Sequence, residues 1–178
     1  MSDYKIIIGG HSQIPNTLPN IPNAELQFCK VGGAKLADFW HHPAFLSMRE
    51  NKHDLAILFL GGNDVYDGCN PKQIATGIVH IADYLSTNNT DTVITLLEPR
   101  NYSPNNRFGL NPETYTSVAR AVNRHLAKAL KRRSIRTINL GARPFQHGHT
   151  RDGVHFNSVS KAHVISKFTK CIEHHMSA

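Results

Sequence analysis

Leu55-Ala56-Ile57-Leu58-Phe59-Leu60-Gly61-Gly62-Asn63-Asp64 puts six apolar residues in a row and then stops at a glycine pair. A strand with one wet face alternates apolar and polar residues. This run does not alternate, so residues 54–60 read as a strand covered on both faces. Such strands belong to parallel sheets that carry helices on either side.

The flanking sequence repeats that pattern. Residues 5–9 form a short β-branched run ended by Gly9-Gly10, and read as a buried central strand. Residues 13–23, with three prolines and three asparagines, are loop. Residues 25–30 read as a second strand, ended by Gly32-Gly33, with a short helix over 34–40. Pro43 restarts helix at its first turn, running towards Glu50. Asn70-Pro71 caps a helix with Ile74, Ile78, Ile81 and Leu85 at helical spacing. Residues 92–97 and 135–140 are two more strands. Between them a polar loop over 99–110 leads to a long helix opened by Asn111-Pro112-Glu113, with Val118, Val122, Leu126 and Leu130 on its apolar side. A loop over 141–151 precedes a last helix from Ser158, with Val164, Ile165, Phe168 and Ile172 facing in. Five strands alternating with helices imply βαβ units, a parallel sheet and one domain over 1–178.

Composition bounds the rest. The 178 residues are 40% hydrophobic, enough for a core, and no apolar run reaches the length of a membrane span. Ile6-Ile7-Ile8 ends at glycine without a small-residue cleavage site, so no signal peptide is expected. Three scattered cysteines, Cys29, Cys69 and Cys171, argue against a disulfide framework and for a reducing, intracellular and cytoplasmic setting. No tight Cys/His pair marks a zinc site. His147-Gly148-His149 lacks a well-placed carboxylate and reads as solvated loop.

In open parallel sheets, ligands bind beyond the carboxyl ends of the strands. Four stretches fall there: Gly10-His11-Ser12 after the first strand, Val31-Gly32-Gly33 after the second, Gly61-Gly62-Asn63-Asp64 after the third, and Asp152-Gly153-Val154-His155 after the fifth. Each is ordinary alone. A serine caps helices, Asn-Asp makes turns, and loop histidines are solvated. Together on one sheet edge they make a reactive set. Ser12 needs a base, His155 is the candidate, and Asp152 would fix its tautomer. The backbone amides of Ser12 and Gly33 and the side-chain amide of Asn63 could meet a developing oxyanion.

The four stretches, in this order, resemble the consensus blocks of the SGNH (GDSL-type) hydrolase superfamily. Gly10-His11-Ser12 stands where that family has Gly-Asp-Ser, and the other three match its second, third and fifth blocks. The resemblance implies a three-layer α/β/α, flavodoxin-like fold with a five-stranded parallel sheet in order 2-1-3-4-5. It also implies hydrolysis of a small ester through an acyl-enzyme, with no metal or cofactor. Ser12 would be the nucleophile, Asp152 and His155 the rest of the triad, and Ser12, Gly33 and Asn63 the oxyanion hole. The departure is His11 in place of the family aspartate. SGNH-like domains also occur in retroelement proteins, and some relatives have lost catalysis and bind RNA.

Charge keeps that second class open. The formal net charge is +7, with twelve histidines besides. Arg120, Arg124, Lys128, Lys131, Arg132, Arg133 and Arg136 form a basic stripe on and after the fourth long helical segment. It reads either as a solvated helix face or as a phosphate-backbone contact for RNA or DNA. Few aromatics are interleaved, which gives base stacking little support. Trp40 reads as a core or rim aromatic.

Overall fold

A computed structural model describes residues 3–100, 109, 111–141, 150–152 and 154–178. Five parallel strands make one sheet: β1 (Tyr4–Gly10), β2 (Ala24–Lys30), β3 (Leu55–Phe59), β4 (Asp91–Thr95) and β5 (Arg136–Ile138). Their order is β2-β1-β3-β4-β5, as the resemblance implied. The helices are α1 (Leu36–His41), α2 (Leu46–Glu50), α3 (Gly62–Tyr66), α4 (Pro71–Thr87), α5 (Pro112–Leu130) and α6 (Ser158–Ser177).

The period-two geometry of β1 sorts its side chains into two cores. Ile7 points to one face, where Ala56, Leu58 and Ile94 join it beneath α4 and α5. Ile6 and Ile8 point to the other, with Leu55, Ile57, Phe59 and Val93 beneath α6. Helix α6 covers that second face with Val164, Phe168 and Ile172, and Ile14, Leu18 and Ile21 of the first loop complete the cover. The two-sided apolar run at 55–60 is therefore two-sided in fact.

The helix starts follow their caps. Asn70 Oδ1 accepts from the Lys72 amide at 2.9 Å, and Asn111 Oδ1 accepts from Glu113 and Thr114 at 3.0 Å each. On α5 the buried side is Tyr115, Ala119, Val122, Leu126 and Leu130, while Val118 is only half-buried. Ile165 of α6 is likewise half-buried. Two stretches depart from expectation. Pro43 opens a 3-10 turn over Pro43–Phe45 rather than one helix to Glu50, because Phe45 at φ −94°, ψ 2° leaves the helical region before α2 begins. Gly62–Tyr66, to which the sequence assigned no helix, forms the short helix α3.

The polar side of α5 grips the chain beyond β4. Asn123 donates to the Leu97 carbonyl at 2.7 Å and accepts from its amide at 3.0 Å. Thr116 Oγ1 accepts from the Arg100 amide and donates to its carbonyl, both at 2.9 Å. These contacts carry the chain inward after the strand and bury Glu98 and Arg100. Most of the two loops expected over 99–110 and 141–151, with His147 and His149, lies outside the described residues.

Candidate active site

Backbone and side-chain hydrogen bonds join the four stretches through their own residues and those flanking them. The Val31 amide donates to the Gly10 carbonyl at 3.0 Å, and the His11 amide donates to the Phe59 carbonyl at 3.2 Å. Asn63 Nδ2 donates to the Ala34 carbonyl at 2.8 Å, and Asp64 Oδ2 accepts from the Leu36 amide at 3.1 Å. The Gln13 carboxamide reaches the loop of the Asp152–His155 stretch. Its Nε2 donates to the Val154 carbonyl, and its Oε1 accepts from the Phe156 amide at 3.3 Å. The expected convergence on one sheet edge is met, stretch by stretch.

Close packing explains why the first stretch begins with glycine. Gly10 lies beside Phe59 in the β1–β3 register, and a Cβ there would collide with the Phe59 carbonyl oxygen. Ser12 follows, half-buried, in a turn closed by the Ile14 amide on the His11 carbonyl at 3.2 Å. Gly33, at φ +72°, has open space beside its α-carbon. Asn63 sits in the first turn of α3, which starts from Gly61 at φ +107°, a conformation that disfavours other residues. One of the two amide hydrogens of Asn63 is held by Ala34, which fixes the direction of the other.

His155 is oriented by Asp152. Its Nδ1 stands 2.8 Å from Asp152 Oδ2, and its own amide donates to Oδ1 at 2.8 Å. Val154 adds a second amide to Oδ1 at 3.1 Å. Burial alone would raise the Asp152 carboxyl, but the His155 amide, the His155 ring and the Val154 amide outweigh it. The pKa therefore lies below the usual carboxylate value. An ionised acceptor at Nδ1 fixes the tautomer that leaves Nε2 as the basic nitrogen.

His11, at the departure from the family pattern, is 3% exposed and packs on Phe59 with ring centroids 4.5 Å apart. Its Nδ1 accepts from the Gln13 amide at 3.2 Å, so the neutral ring carries its proton on Nε2. That Nε2 has no hydrogen-bond partner among the described residues. Burial, with the charges of Arg100, His155 and Lys30 adding to it, pushes its pKa down to about 3.

Sequence reading passed over three buried groups here. Arg100 Nη1 lies 2.7 Å from Glu98 Oε1 in an ion pair almost free of solvent, and the guanidinium stacks 4.9 Å from the Tyr115 ring centroid. Burial opposes the charge on Arg100, and Glu98, Tyr115 and Tyr66 together more than restore it. Burial also pushes Glu98 up, against the pull of Arg100. Arg100 Nη1 donates as well to the Val154 carbonyl at 3.1 Å. Asp64, half of the Asn-Asp signature, anchors α1 rather than facing solvent, and burial raises its pKa against the Leu36 amide. The only signals for Arg100 and Glu98 were charges set immediately after an apolar strand.

Arg124, Lys128, Lys131, Arg132 and Arg133 are all exposed on or just after α5. Arg133 is paired with Asp83 through Nε at 2.9 Å and Nη2 at 3.0 Å, and Arg136 reaches Asp91 at 3.7 Å. Trp40 packs against Phe39, His80 and Tyr84, as a rim aromatic does. Among the described residues no group of three or more His, Cys, Asp or Glu side chains could hold a metal ion. No helix among them is long and apolar enough to cross a membrane.

Comparison with known proteins gives a consistent frame. The sequence model of the GDSL-like lipase/acylhydrolase family matches residues 9–159, from Gly9 through the Asp152–His155 stretch. No curated protein is near enough in sequence to match. Among solved structures, a GDSL-like lipase from Bacteroides thetaiotaomicron superposes with a TM-score of 0.72 at 17% identity, covering 96% of this chain and 88% of that one. A carbohydrate acetylesterase from Sinorhizobium meliloti gives 0.71 at 12% identity, covering 96% and 99%. An aryl esterase from M. smegmatis gives 0.70 at 16% identity, covering 96% and 98%. At these identities the likeness concerns the fold.

Proposed function

The chain belongs to the GDSL-like lipase/acylhydrolase family, and from that premise we propose that it is a serine esterase acting on a small ester through an acyl-enzyme. The observation that carries this reading is the reach of Gln13. The residue next to Ser12 is hydrogen-bonded to the residues on both sides of His155, so the nucleophile loop and the base loop are one unit. In the proposed reaction the Ser12 hydroxyl comes within hydrogen-bond reach of His155 Nε2, which takes its proton as Oγ attacks the ester carbonyl. The ionised Asp152 stabilises the imidazolium that forms. The oxyanion is met by the amides of Ser12 and Gly33 and by the amide hydrogen of Asn63 that Ala34 does not hold. His155 then returns its proton to the leaving alcohol, and a water activated by the same nitrogen releases the acid.

The solved acetylesterase and aryl esterase of the same fold favour an ester over an amide. The test is hydrolysis of p-nitrophenyl esters of increasing chain length, with fluorophosphonate labelling of Ser12, in the wild type and in Ser12→Ala. Hydrolysis and labelling that both vanish in Ser12→Ala support the reading. Hydrolysis that survives the substitution removes Ser12 as nucleophile.

A further inference from the structure

We infer that Gln13 is a positioning residue of the triad: its carboxamide, working with the Arg100 guanidinium on the Val154 carbonyl, holds His155 at the nucleophile. The inference rests on the esterase reading and deepens it. The backbone around His155 is tied down group by group. The Val154 and His155 amides go to Asp152 Oδ1. The His155 carbonyl accepts from the Arg151 amide at 2.8 Å, and Thr150 bridges to Phe156. The Val154 carbonyl and the Phe156 amide are met from outside the loop. Gln13 takes the two together, donating with Nε2 and accepting with Oε1, as a carboxamide does in one orientation. Arg100 adds a charged donor to the same carbonyl.

The geometry separates the two struts. Asp152 is local to the loop and fixes the ring relative to its own backbone. Gln13 is 143 residues from Phe156 and next to Ser12, so it fixes the ring relative to the nucleophile. Gln13 is 5% exposed and Arg100 4%, so water does not compete readily for either contact. Arg100 is itself held by Glu98 and by Thr116 of α5, which extends the support to the far side of the sheet.

Two variants test this. Gln13→Met keeps the length of the side chain and loses both hydrogen bonds. Gln13→Glu keeps the acceptor and regains the donor only when protonated. Gln13→Met is expected to slow fluorophosphonate labelling of Ser12 about 10²-fold, as misplacement of a reacting group does. KM for p-nitrophenyl acetate should change little, and hydrogen exchange of the Phe156 amide should quicken. For Gln13→Glu, the labelling rate relative to wild type should rise as pH falls, because the neutral carboxyl again donates to Val154. A purely structural role would not produce that pH-dependent recovery. Wild-type labelling rates in both variants, with unchanged Phe156 exchange, would overturn the proposal and leave the esterase reading standing. A wild type that is never labelled would end the esterase reading instead, and Phe156 exchange would still decide whether Gln13 holds the loop. Should Gln13→Met not fold, the pH series on Gln13→Glu decides alone, and a flat ratio to wild type counts against the proposal.

Discussion

His155 Nδ1 and Asp152 Oδ2 lie 2.8 Å apart, and the same carboxylate accepts two backbone amides through its other oxygen. Asp152 therefore does two jobs: it shapes the loop with Oδ1 and orients the ring with Oδ2. Asp152→Asn keeps the size of the side chain but removes the charge and presents an NH₂ on one side. With its Oδ1 kept for the amides, the NH₂ faces Nδ1 and favours the wrong tautomer. The expected result is a fall in kcat of about 10⁴-fold with the fold intact. Steady-state kinetics and a thermal melt of the purified variant check it.

Asn63 carries a different kind of load. Its Nδ2 spends one hydrogen on the Ala34 carbonyl and aims the other. Asn63→Ala is expected to lower kcat by about 10²–10³-fold, and KM should move far less, because the donor acts on the developing oxyanion. Asn63→Asp is the sharper comparison, since a carboxylate has no hydrogen to give. A large rise in KM with kcat preserved would reassign Asn63 to ground-state binding.

The strands were legible because burial on both faces writes an apolar run into the sequence. Even β5, three residues long, was visible through Ile138 and Leu140. The triad and oxyanion candidates were legible because glycines and short polar residues cluster after those runs. Helix α3 was not, because a five-residue helix opened by glycine carries turn residues and no periodicity. Glu98 and Arg100 were hidden for another reason. A charged residue is read as exposed by default, and the groups that meet Arg100, Thr116 and Tyr115, come from α5. Gln13 was likewise absorbed into a proline- and asparagine-rich loop, although its side chain reaches the Asp152–His155 stretch.

Asn123 offers a stability test away from the chemistry. It satisfies both the amide and the carbonyl of Leu97, at 3.0 Å and 2.7 Å, where the chain leaves β4. Asn123→Ala leaves two backbone groups short of partners. It should destabilise the protein by about 1–3 kcal/mol in urea unfolding. Because Leu97 precedes Glu98 and Arg100, a smaller loss of esterase activity is expected alongside.

The basic stripe divides along its ion pairs. Arg133 is neutralised by Asp83, whereas Lys131 and Arg132 stand exposed beside it. If the stripe meets a polyanion, Arg132→Ala should flatten the salt dependence of RNA binding by about one phosphate contact, and Arg133→Ala by less. Fluorescence titration of a labelled oligonucleotide at several salt concentrations measures both. Equal slopes in wild type and Arg132→Ala, or no binding at low salt, would leave the stripe a solvated face. Ester hydrolysis should be unaffected by either change, since these residues follow the end of α5 rather than the carboxyl ends of the strands.

His11 makes a prediction about acid. Its ring is buried against Phe59, accepts from Gln13, and has a pKa lowered from 6.5 to about 3. In the unfolded chain the same histidine titrates near its ordinary value. Between those two values the unfolded state binds a proton that the folded state does not. Stability from this group is therefore intact above about pH 6.5 and lost as pH falls towards 3, at up to about 1.4 kcal/mol per pH unit. His11→Asn keeps a short polar acceptor for the Gln13 amide and removes the titration. Urea midpoints measured from pH 7 to pH 4 should fall less steeply in His11→Asn than in wild type, and the two curves should run parallel above pH 7. The same neutrality keeps His11 out of the pH–rate profile, so kcat/KM should show the same acidic limb in both proteins. A second limb near neutrality that disappears in His11→Asn would mean that His11 ionises in the working range and stands closer to the chemistry than its burial implies.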